Sequence, residues 1–182
     1  MDELGETLTR WTVRAAVVGY FAAVSLMLAS RQPARRRAAT WVFTVGCALF
    51  VAHVALAFHF FHHWSHAHAY EETARQTEEL TGVRTGFGLW LNYQFTLLWI
   101  GETIAWWRGP CRGPVRFAVH LFMLFIIFNA TVVFETGAVR WGGALGCVVV
   151  LVLAFHRWRM DRSMGVSPVG PSCASRSDGK SQ

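Results

Sequence analysis

The chain has 182 residues, of which 53% are hydrophobic and 15% charged, and its formal net charge is +6. So little charge at this length excludes an ordinary soluble domain. No phosphate loop, nucleotide fingerprint or nucleophile motif occurs, and no interleaved basic and aromatic surface that would point to nucleic acid.

Five apolar runs follow in chain order: residues 11–30, 40–61, 87–107, 115–134 and 138–158. At about 1.5 Å per residue, each is long enough to cross a hydrocarbon core of about 30 Å. The first follows the acidic stretch "MDELGE". A cleaved signal would begin with positive charge, so this run is expected to be a retained span. Between runs one and two, "RQPARRR" carries four arginines; "RGPCRGPVR", joining runs three and four, carries three. Arg157, Arg159, Arg162, Arg176 and Lys180 follow or end run five, so these segments hold twelve of the seventeen basic residues. Most acids lie in the alternate segments. The positive-inside rule then predicts the amino terminus outside a plasma membrane and the carboxyl terminus in the cytoplasm.

The expected fold is therefore all-α: a polytopic membrane helical bundle of five transmembrane helices, in contact with the lipid bilayer. It occupies residues 1–160, and residues 161–182, rich in Ser, Gly and Pro, read as a disordered cytoplasmic tail. The four cysteines are scattered, and no disulfide or thiolate site is expected. Small residues recur every four positions at Ala15, Gly19 and Ala23, and again at Ala138, Gly142 and Gly146. Such stripes let helices approach closely, within one chain or in a homo-oligomer or with another membrane partner.

The second run does not stop at its apolar end. "HHWSHAHAYEETARQTEEL" continues from it without Pro or Gly until Gly82, a natural C-cap, and Glu71, Arg75 and Glu79 are spaced for ion pairs. This predicts a second helix extended beyond the membrane on the outer side, one rod over 40–81 with room for a break near Ser65. Residues 62–85 form its His-rich extension and loop.

Residues 53–80 hold six of the eight histidines. On one continuous helix His59, His62, His63 and His66 share a narrow face, continued by Tyr70, while His53 and His68 lie on a neighbouring line. His59 with His63, and His62 with His66, are i,i+4 pairs suited to chelating an ion. These four are the candidate ligands of a transition-metal site at the outer boundary. Neutral imidazole suits Zn, Cu, Fe or Ni without choosing among them. His53, Tyr70, Asn92, Asn129 and Glu135 are supporting candidates, expected at similar depths in the outer half of the bundle. Glu102 and His120 form an expected inner polar pair.

"HFFHH", residues 59–63, resembles one histidine box of the membrane-bound di-iron desaturases and hydroxylases. The resemblance covers five residues and implies iron and oxygen chemistry. That family sets several boxes along the chain on the cytoplasmic side, whereas this sequence has one, on the outer side. Three function classes follow from the residues: a metal site with redox or hydrolytic chemistry, a haem- or quinone-linked electron-transfer protein, and a non-catalytic structural or accessory subunit.

Overall fold

The computed structural model describes residues 3–109 and 113–163, and among them the protein is helical with no strand. The helices are α1 (Glu3–Ala29), α2 (Pro33–Phe60), α3 (His66–Thr81), α4 (Phe87–Arg108), α5 (Pro114–Phe128) and α6 (Gly137–Ser163). A π turn, Asn129–Val133, continues α5. Pro33 and Pro114 open their helices, where a missing N–H costs nothing and the fixed φ already suits the helix. Cys111, Cys173 and residues 164–182 of the expected tail lie outside the described residues, whereas 161–163, expected to begin the tail, continue α6; Cys47 and Cys147 are buried and form no disulfide.

Four of these segments are long and apolar enough to cross a membrane: α1, α2, α5 with its π turn, and α6. Only 17% to 22% of the most apolar stretch of each is buried, so most of their apolar side chains face outward. Val115, Phe117 and Trp141 are among the most exposed residues. Outward apolar surface on this scale suits lipid, and the protein is a helical membrane protein. α4, the third expected span, forms as a helix but is not among the four. Asn92, Tyr93, Gln94, Glu102 and four tryptophans dilute its apolar character.

The described residues divide into two compact units, one formed by 3–20 and 41–100, the other by 21–40 and 101–163. In the first, Trp99 is fully buried, with the rings of Tyr20, Phe43, Phe50 and Phe95 at 5.4 to 5.8 Å. Gly19 and Gly46 permit the contact between α1 and α2: a Cβ on Gly19 would stand 3.3 Å from the Gly46 Cα. His53 joins the same two helices, its Nδ1 lying 2.9 Å from the Thr9 carbonyl oxygen. Gly19 of the α1 stripe thus serves packing within the chain, while Ala15 is exposed.

In the second unit, Gly143 receives Thr131 of the π turn and Gly146 receives the Phe21 ring. Gly142, on the same stripe, faces open space. Arg31 pairs with Asp161, and Arg157 donates to the Leu28 carbonyl at 3.2 Å.

The rod expected over 40–81 does not run unbroken; it is interrupted where room was left for a break, near Ser65. α2 ends at Phe60 and α3 begins at His66. Between them His63 (φ 47°) and Trp64 (φ 59°) adopt left-handed backbone. Two such residues in succession cannot continue a right-handed helix. The N–H groups of Phe61, His62 and Trp64 take up the free carbonyls of Ala57 and Phe58. Ser65 then caps α3, its Oγ accepting from the His68 N–H at 3.3 Å. Gly82 ends α3 in left-handed backbone, as its position suggests.

Candidate histidine site at the α2–α3 joint

The break redistributes the histidines. His59 stays on α2, exposed, its ring edge-on to Phe60 and Trp64. His62 and His63 belong to the joint. His66 opens α3, with its Nδ1 3.0 Å from the Tyr93 hydroxyl and its ring stacked on Tyr93. Neither i,i+4 pair of the sequence reading survives as two residues of one helix.

A different set meets instead. The Nδ1 atoms of His62 and His68 face each other at 3.5 Å. Both rings line a concavity of about 310 Å³, together with Phe61, Glu72 and Gln76. His68, Glu72 and Gln76 are spaced by four along α3 and so lie on one stripe. The joint carries His62 back over that stripe. His68 and Glu72 are the residues that sequence reasoning left out. The four-residue spacing was visible, but a straight rod gave His62 no reason to face it.

The electrostatics follow from this geometry. The Glu72 carboxylate accepts from Arg75 Nη2 at 2.6 Å, Arg75 Nε at 3.1 Å and Gln76 Nε2 at 3.0 Å. These bonds hold it below the usual carboxylate range, first through Arg75. Arg75 also reaches Glu79, at 2.5 Å. The expected Glu71–Arg75 pair is replaced, because Glu71 and Glu78 both bond to Arg84. Partial burial lowers the pKa of His62, and His68 and His63 lower it further while Glu72 opposes them.

The supporting candidates lie elsewhere. Tyr70 packs its ring against Gly86, where a Cβ would come within 2.6 Å of the ring carbons. Asn92 is exposed on α4. Asn129 donates to the Phe125 carbonyl at 2.7 Å, and Glu135 is half-exposed beyond the π turn. His53 is engaged between α1 and α2 as described.

The inner pair does come together, with an unexpected third member. Glu102 Oε2 accepts from Arg116 Nε at 3.0 Å and from Trp106 Nε1 at 3.2 Å, and His120 Nε2 lies 3.7 Å away. Arg116, counted in sequence as a loop charge, is the principal partner. A buried carboxylate in a helical membrane protein needs such pairing.

Among the described residues, no three His, Cys, Asp or Glu side chains stand ready around one point to hold an ion. The joint offers two imidazoles and a nearby carboxylate that is otherwise engaged. Fold and site together define a class: an all-helical membrane protein whose apolar helix ends in a histidine-lined joint. Known protein families, curated proteins and solved structures give no match to the chain.

Proposed function

We propose that the protein is an integral plasma-membrane protein of five spans that binds a transition-metal ion at its outer boundary, at the α2–α3 joint. The observation that carries this reading is the 3.5 Å separation of the His62 and His68 Nδ1 atoms. Two imidazole nitrogens on a tetrahedral ion, each about 2.0–2.1 Å from it, stand about 3.4 Å apart. The two rings therefore need little movement to share an ion. Neutral imidazoles without a thiolate favour a borderline divalent ion such as Zn, Cu or Ni over a soft monovalent one. Two protein ligands leave positions open for water or a substrate group, the arrangement that metal-assisted hydrolytic or redox chemistry requires. Of the histidines expected to bind metal, only His62 belongs to this pair.

The test is Zn²⁺ titration of the detergent-purified full chain, beside His62→Ala and His68→Ala. One ion per chain is expected, with each variant weakening binding about tenfold or more. Equal binding by the wild type and both variants would reject the site.

A further inference from the structure

Glu72 presents a puzzle. It lines the same concavity as His62 and His68, yet its carboxylate is turned to Arg75 and Gln76. Arg75 stands between two carboxylates, Glu72 one turn before it and Glu79 one turn after, and bonds to both. If Glu72 turned away, Arg75 would keep a partner. That makes its release inexpensive, because an exposed ion pair contributes little and the cation is not stranded. Glu72 and His68 are four apart on α3, so both reach the same side of the helix. A rotamer change on an exposed helix surface is a fast and small motion.

We propose that Glu72 is the third ligand of the ion, and that ion binding transfers its carboxylate from Arg75 to the metal while Arg75 falls back on Glu79. This deepens, and rests on, the reading of the joint as a metal site. In the empty site Arg75 holds the carboxylate in reserve. In the loaded site two neutral imidazoles and one carboxylate bind a divalent cation, leaving one net positive charge and room for water. The arginine thereby sets the affinity of a site it never touches. The ligand class is a free divalent transition-metal ion taken from the aqueous side, held in exchange with a guanidinium.

The experiment is a double-mutant cycle on Zn²⁺ affinity in the detergent-purified full chain. Glu72→Gln is expected to weaken binding about tenfold. Arg75→Gln is expected to tighten it roughly two- to fivefold, the worth of an exposed ion pair. In the Glu72→Gln background, Arg75→Gln should change nothing. Arg75→Lys, which keeps the charge but loses the bidentate grip, should also tighten binding. If Arg75→Gln tightens binding equally with and without Glu72, the arginine acts only as a distant charge and the exchange is wrong. The exchange also fails if Glu72→Gln leaves affinity unchanged while His62→Ala and His68→Ala abolish it. If the histidine variants bind like the wild type, the metal reading itself fails. Helix content by circular dichroism separates loss of ligands from loss of α3.

Discussion

At the residue scale, the joint brings two imidazoles face to face. His62 sits against His68, with His63 beside it in sequence and Glu72 and Gln76 across the concavity. Its pKa is lowered from its usual 6.5, first by burial and then by the neighbouring His68, with Glu72 opposing. A lowered value means the folded joint prefers the neutral ring. The unfolded chain then binds more protons between the lowered value and 6.5, so the stability contributed by this contact is full above about pH 6.5 and is lost as pH falls through the folded-state value. Amide hydrogen exchange at Ser65 and His68, corrected for intrinsic rate, should show protection at pH 8 that declines below pH 6. His62→Gln should flatten the dependence. Persistence of the full pH effect in that variant would assign it to another group. The same protonation would compete with the proposed ion, since only neutral imidazole is a ligand.

At the element scale, helix existence was legible and so was the place left open to a break, near Ser65, but the course of the backbone through that break was not. Apolar length marks α1, α2, α5 and α6, and Gly82 marks the end of α3. Ser65 offers a cap at the joint, but nothing announces the turn itself, because His63 and Trp64 are not glycines, and left-handed backbone in such residues is decided by tertiary contacts rather than propensity. That one local event separates His62 from His59 and His66 as helix neighbours and brings it to His68 and Glu72. A close tertiary contact also lies at the π turn. There Thr131 fills the space over Gly143: an added Cβ would stand 2.0 Å from Thr131 Oγ1 and 2.4 Å from its Cβ. Rotating the threonine cannot clear the second overlap, so backbone must move. Gly143→Ala should cost about 1–3 kcal/mol, read as a lowered thermal midpoint in detergent. Adding Thr131→Ala should not restore it, because the offending Cβ remains. Full recovery in the double variant would show that only the hydroxyl mattered.

At the scale of the whole molecule, the question is whether α4 crosses the membrane. Composition alone leaves it out of the four apolar helices. Its packing argues otherwise. Trp99 of α4 is fully buried against Phe43 and Phe50 of α2 and Tyr20 of α1, well inside two helices that are apolar enough to span. Charge gives an independent argument. If α4 crosses, the arginines near residue 31, near residue 112 and after residue 156 all fall on one side. If it does not, the last two groups move to the side of Glu71, Glu72, Glu78 and Glu79, against the positive-inside rule. A helix carrying Asn92, Gln94 and Glu102 is tolerable in a membrane when its buried carboxylate is paired, and Arg116 pairs Glu102. Single cysteines at Arg31, Thr81, Arg108 and Thr136, in a chain freed of its native cysteines, provide the test. A membrane-impermeant maleimide on intact cells should label the cysteines at 81 and 136, and reach those at 31 and 108 only after lysis. Labelling of 31 and 108 from opposite sides would take α4 out of the membrane. It would also invert the termini relative to one another, because the number of crossings changes from odd to even.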